Sequence, residues 1–152
     1  MTDDADRTMV LTRDIPAPVG LVWQAWTDPD RLPLWWGPEG FSCRTHRIDL
    51  RDGGEWVFDM IGPDGTVFPN HHDALRYEHE ARISYILRWG ENGPEHARAS
   101  VRFEDLGAQT RVTLNMTFLT VEEFRTAQGF GAEALGQQTL AKLERAVAES
   151  DA

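Results

Sequence analysis

Hydrophobic and polar positions alternate with a period of two through the middle of this chain. At both ends the period becomes helical. Residues 8–15 (TMVLTRDI) read as a first strand, stopped by Pro16 and Pro18. Val19, Val22, Trp23 and Trp26 then fall at i, i+3, i+4 and i+7, the apolar face of a short helix. Asp28 offers an N-cap and Pro29 a first-turn proline for a second helix. That helix must be short, because Pro33 interrupts its ladder and Gly37-Pro38 ends it.

From Phe41 the pattern is a meander of strands. Arg51-Asp52-Gly53-Gly54 is a turn, and Trp56, Phe58 and Met60 share one face of the strand after it. Gly62-Pro63-Asp64-Gly65 places Pro and Gly where a β-turn wants them. On the next strand, residues 66–78, alternation puts His71 and Asp73 on the face that carries Leu75 and Tyr77. Residues 82–90 alternate through Ile83, Tyr85, Leu87 and Trp89, and GENGP turns the chain. Ala99, Val101 and Phe103 alternate with outward Arg98, Ser100, Arg102 and Glu104. After Gly107 the pattern repeats in Val112, Leu114, Met116 and Phe118. Such alternation implies an antiparallel sheet with one wet face.

Residues 121–149 read as one long helix with two apolar stripes, Phe124/Gly131/Leu135 and Leu140/Leu143/Val147. Gly129, Gly131 and Gly136 lie where the stripes change over. Each costs roughly 1 kcal/mol in a helix interior, so a bend or a close backbone approach should offset them. The order strand, two short helices, six strands, long helix is that of an α+β domain, a curved sheet gripping its terminal helix.

Composition narrows the classes. At 152 residues the chain is most simply one domain, residues 8–150, behind a disordered polar tail over residues 1–7. A net charge of −10 opposes phosphate backbones and anionic membranes, so neither nucleic acid nor a membrane is expected as partner. No window is apolar enough to span a bilayer, and MTDDADRT does not read as a signal peptide. A soluble cytoplasmic protein is the expectation. Cys43 is the single cysteine, which excludes an internal disulfide and any cysteine-based zinc spacing. It reads as a small buried hydrophobe rather than a nucleophile. Four of the six tryptophans fall in residues 22–38, VWQAWTDPDRLPLWWGP. They imply two short helices folded over a core or a ligand cavity. Trp35 and Trp36 are adjacent and hard to bury in one helical turn. One of them is expected at the cavity mouth or in a homodimer contact.

The run VWQAWTDPDRLPLWWGPEGF, the downstream IDLRDGGEW, the turn GPDGT and the C-terminal FGAEALGQQTLAKL together resemble the SRPBCC (START-like, helix-grip) superfamily. The similarity is to the branch related to the C-terminal domain of the activator of the heat-shock protein 90 ATPase, and it covers residues 8–149. It implies a seven-stranded antiparallel sheet around a long C-terminal helix, with a hydrophobic cavity between them and an apolar small molecule as ligand. A co-chaperone-like protein-interaction module is a further alternative, the least favoured because the resemblance covers only the C-terminal-type domain. Three departures stand out. Pro33 threatens the lid helix, His79-Glu80 replaces a common Pro-Pro, and Asp73 sits where an apolar residue is usual, which would put a charge at the cavity.

The expected ligand-binding residues are Trp36, Phe58, Met60, His71, Asp73, Tyr85, Phe124 and Phe130. The aromatics and Met60 line a cavity of roughly 300–1,000 Å³, and His71, Asp73 or Tyr85 meets the polar end of the ligand. If the protein is an enzyme of cyclase or hydrolase type, His71 is the general base and Asp73 orients it. No metal or other cofactor is expected. His71 and His72 point to opposite faces of a strand and cannot readily share an ion. No nucleophile elbow, P-loop, HExxH or dinucleotide fingerprint occurs.

Overall fold

A computed structural model describes residues 4–150. Seven antiparallel strands form one sheet: β1 (Thr8–Ile15), β2 (Ser42–Asp49), β3 (Glu55–Ile61), β4 (Val67–Glu78), β5 (Arg82–Arg88), β6 (Glu95–Asp105) and β7 (Thr110–Phe118). Their order is β1-β7-β6-β5-β4-β3-β2, so consecutive strands pair from β2 to β7 and β1 closes against β7. Helices α1 (Val19–Thr27) and α2 (Leu32–Trp35) follow β1, and α3 (Val121–Gly129) and α4 (Ala132–Ser150) follow β7. The helices cover the sheet's concave face, where Val101, Val112 and Leu114 meet Leu140, Leu143 and Val147 of α4 in one core. The α+β helix-grip architecture is as expected. Among the described residues no helix is long and apolar enough to cross a membrane.

The expected tail is partly ordered. Residues 1–3 lie outside the described residues, while Asp4–Arg7 form a 3-10 turn whose Arg7 guanidinium donates to the Phe118 carbonyl. The GPDG turn forms as its residues require: Gly65 has φ +88° and its N–H donates to Gly62 O at 2.9 Å.

The long C-terminal helix is two helices. Thr120 caps α3 by accepting the Glu123 N–H at 3.1 Å, and the ladder breaks after Gly129, where Gly131 adopts φ +77°. A residue with a side chain strongly disfavours that conformation. Gly136 serves differently. A Cβ there would lie 2.2 Å from Leu11 Cδ1, so its bare backbone lets α4 close on β1. Both remedies anticipated for helical glycines occur, at different positions.

The Trp35-Trp36 problem is solved by ending the helix between them. Trp35 is the last helical residue, and Trp36 is extended at φ −63°, ψ 140°. The two rings meet edge to face at 5.7 Å, each also against Trp26, and both are buried, at 2% and 9% exposure. Trp35 Nε1 donates to Ala25 O at 3.0 Å, locking α2 onto α1. Neither Trp remains for a cavity mouth or a dimer contact; Leu34 is the exposed residue of α2. Pro33 is accommodated in the first turn, where its missing N–H would be unpaired anyway.

The feature that places the site is a bulge in β4. Asp73 pairs with Ile86 and Arg76 with Ser84, so Ala74 and Leu75 together oppose Tyr85. Ala74 takes φ +53°, and its N–H is held by Asp73 Oδ1 at 2.8 Å. Leu75 bonds the preceding turn through Gly53 N–H (2.7 Å) and Gly54 O (3.1 Å). The extra residue reverses the parity of every later side chain. Leu75 and Tyr77 therefore face inward with His72, and His71 and Asp73 face outward.

Replacing Gly136 by Ala should destabilise the protein by about 1–3 kcal/mol through overpacking against Leu11, despite the roughly 1 kcal/mol that Ala contributes in a helix. Urea unfolding of the two proteins checks this, and a variant as stable as the parent would show that β1 yields freely.

Candidate binding chamber and outer-face histidine network

Two polar centres lie back to back across β4, one on each side of the sheet. The inner one is a chamber walled by Trp56, His72 and Tyr85 from β3, β4 and β5, by Trp26 from α1, and by Trp36 beyond α2. Alternation along β3 to β5 aims the strand residues inward, and the switch from helix to extended backbone at Trp36 brings its ring over them. The rings lock edge to face: Trp26 to Trp36 at 5.4 Å and Trp36 to His72 at 5.3 Å. His72 stacks on Tyr85 at 4.0 Å. Such arrangements suit the ring quadrupoles.

The chamber departs from expectation in place and size. Its walls come from α1, the residues around α2 and the sheet; no α4 residue lines it. The space enclosed is about 20 Å³, enough for one water rather than several hundred cubic ångströms. Within this apolar wall two polar atoms are orphaned: Tyr85 Oη and Trp26 Nε1 are buried with no hydrogen-bond partner. Leaving such a group unpaired costs about 1–3 kcal/mol, and each would be satisfied by an acceptor. The chamber is uncharged. Burial pushes the His72 imidazole down to about 3, and a charge on the adjacent His71 would act in the same direction. Burial also raises the Tyr85 phenol well above its usual value.

Of the residues expected at the site, Trp36 and Tyr85 line the chamber. Phe58 is buried behind the wall, stacked on Trp56 at 3.6 Å. Met60 is half-buried farther along β3, beside Gly37. Phe124 packs on Phe118 from α3, at 5.9 Å. Phe130 stands 78% exposed at the α3–α4 break. Sequence reasoning missed His72 and Trp56. His72 could not be found by counting alternation back from Leu75, because the bulge intervenes and an alanine, not a glycine, occupies it. Cys43 is half-buried and its thiol is pushed up to about 12 by burial, which leaves it a poor nucleophile.

His71 and Asp73 form the outer centre, so no charge from Asp73 reaches the chamber. His71 is 1% exposed. Its Nε2 lies 2.8 Å from Glu55 Oε1 and 3.8 Å from Asp73 Oδ1. Its Nδ1 accepts the backbone N–H of Asn92 at 3.1 Å. Arg88 holds Asp73 at 2.9 Å, and Arg47 bridges Glu55 (3.2 Å) and Glu91 (2.6 Å). Burial alone would raise the Asp73 carboxyl, but the Arg88 hydrogen bond, the Ala74 amide and the nearby charges outweigh it and bring it below its usual range.

Glu55, His71 and Asp73 place their ligand atoms within 4.8 Å of one another, which is metal-like spacing. The proton count opposes that use. A backbone N–H can only donate, so Nδ1 must carry the lone pair and Nε2 the proton, aimed at Glu55. A metal on Nε2 needs the reverse tautomer. Nor can His71 act as a base on a guest in the chamber, since it lies on the other face of the sheet.

The unfolded chain takes up a proton at His72 near the ordinary 6.5, whereas the folded protein refuses it until about 3. His72 therefore costs nothing above about pH 6.5 and weakens the fold progressively as the pH falls from there to 3, by up to about 1.4 kcal/mol per pH unit. His72→Phe should flatten the pH dependence of urea unfolding in that window. Parallel curves for the two proteins would place His72 in a wetter site than the structure shows.

Comparison with known proteins accords with this geometry. A crystal structure of a protein from Nitrosomonas europaea superposes with a TM-score of 0.85 at 27% identity, covering 98% of this chain and 99% of that one. A solution structure of an Arthrobacter aurescens protein gives 0.83 at 24% identity, covering 98% and 90%. An AHSA1 protein from Silicibacter pomeroyi gives 0.72 at 20% identity, covering 94% and 99%. Among curated proteins none matches. Residues 16–148 match the family described as activator of Hsp90 ATPase homolog 1-like protein. With that match spanning most of its length, and with the helix-grip fold around it, the chain belongs to the activator of Hsp90 ATPase homolog 1-like family within the SRPBCC superfamily.

Proposed function

We propose that this protein binds a small, uncharged molecule whose polar end is a hydrogen-bond acceptor, with that end in the chamber between β3–β5 and α1–α2. The observation that carries the reading is the pair of orphaned groups, Tyr85 Oη and Trp26 Nε1, on the walls of one apolar cavity. An indole N–H only donates, and a phenol donates readily. A carbonyl oxygen accepts from either. A charged group would lose its hydration without finding a counter-charge, since His72 stays neutral down to about 3.

The cavity of about 20 Å³ admits the acceptor atom alone. The body of the ligand must displace a wall. Leu50 and Tyr77 are the half-buried lining residues and mark the side on which the guest would extend. Binding is favoured over proton-transfer catalysis, because an imidazole with a pKa of about 3 is a weak base near neutrality.

Tyr85→Phe should leave the ligand-free protein equally stable or up to about 1 kcal/mol more stable, since an unpaired hydroxyl is removed. It should weaken binding of a neutral aryl ketone such as acetophenone about 5- to 10-fold, the worth of one hydrogen bond. Urea unfolding and titration calorimetry, with toluene and benzoate as the acceptor-free and charged comparisons, test both. A variant destabilised by more than about 2 kcal/mol, or toluene binding as tightly as the ketone, would overturn the reading.

A further inference from the structure

The outer face of a sheet whose other face carries the core should be solvated, yet here His71, Val57 and Asp59 are buried on it. What covers this face is the β5–β6 loop, residues 89–94. The loop turns back with Gly90 at φ +82° and Asn92 at φ +55°, and a Cβ on Gly90 would sit 3.3 Å from Pro69 Cβ. It is fastened at two main points, Glu91 to Arg47 of β2 and the Asn92 N–H to His71 Nδ1. Between loop and sheet lies a groove of about 350 Å³, floored by Val57 and Pro69 and flanked by His46, Asp59, Gly90 and Glu91.

We propose that residues 89–94 are a flap held shut by neutral His71 and released when His71 takes a second proton. The hydrogen-bond chemistry fixes the direction. In the closed state Nδ1 accepts the Asn92 N–H, and a proton added to that nitrogen would set two donors head to head at 3.1 Å.

The surroundings decide which partner gives way. The charged groups facing His71 are Arg47 of β2, Glu55 of β3, Asp73 of β4, Arg88 of β5 and Glu91 of the flap. Three carboxylates stand against two guanidiniums, so an imidazolium completes the balance rather than upsetting it. His72, the chain neighbour on the other face, is neutral down to about 3 and adds no opposing charge. Glu55 and Asp73 keep the imidazolium in place, and the Asn92 amide is the group expelled. Release uncovers Val57, the buried part of the groove floor. The inference is independent of any ligand in the inner chamber.

The test uses the full-length, ¹⁵N-labelled protein. Long-range ¹H–¹⁵N spectra should show His71 as the Nε2–H tautomer at neutral pH. On acidification, amide-exchange protection at Asn92, corrected for the intrinsic rate, should fall about tenfold in step with the appearance of the imidazolium, the loss of about one hydrogen bond. Glu55→Gln removes one carboxylate that favours the charged ring, so it should carry both the His71 titration and the flap release to lower pH together. An Nδ1–H tautomer at neutral pH, or Asn92 protection that does not change as His71 charges, would overturn the proposal. A Glu55→Gln protein in which the titration moves and the release does not would do the same.

Discussion

The bulge at Ala74 is the constraint on which the functional arrangement depends. One extra residue in β4 decides which side chains meet. With it, His72 joins Tyr85, Leu75 and Tyr77 inside, and His71 joins Glu55, Asp73 and Arg88 outside. Without it, one of these sets would be split between core and solvent. An alanine in the left-handed region costs about 1–2 kcal/mol. The Asp73 carboxylate on its N–H and the Gly53/Gly54 turn on Leu75 offset that cost. A residue of the outer network thus also fixes the geometry of the inner chamber.

The interior is packed in two ways along the sheet. At the β1–β7–β6 end, α4 packs closely enough that a Cβ on Gly136 would overlap the Leu11 side chain, and Leu140, Leu143 and Val147 are fully buried. At the β3–β5 end, the short helices deliver indole rings instead. Flat, rigid rings meeting edge to face leave a small void, and the two polar atoms on its walls are the part of the core that packing does not satisfy. Close packing is the rule in protein interiors, and the orphaned donors mark where this interior departs from it.

The outer network has another physical character. Its groups are charged, mutually paired and drawn from β2, β3, β4, β5 and one loop. Its carboxylates and guanidiniums are about a quarter to a half exposed, so each ion pair alone contributes little and the network acts through its geometry. Such a cluster ties the loop to the sheet more specifically than apolar contact could, and it makes the loop's position depend on where one proton sits.

The sequence by itself determined the strand count, the GPDG and GENGP turns, the helical face of Val22, Trp23 and Trp26, the α+β class and the family resemblance. All but the resemblance follow from periodicity and turn chemistry, which are local. Tertiary structure alone decided the site. The bulge carries no glycine to announce it, so alternation counted through Ala74 assigned His71 and Asp73 to the wrong face. The break at Gly131 and the close approach at Gly136 look alike as residues and differ only in what lies opposite them. Trp35 and Trp36 could be buried together only because one ends a helix and the other begins an extended segment. Which aromatic lines a cavity and which fills the core depends on neighbours distant along the chain, and local periodicity carries no information about them.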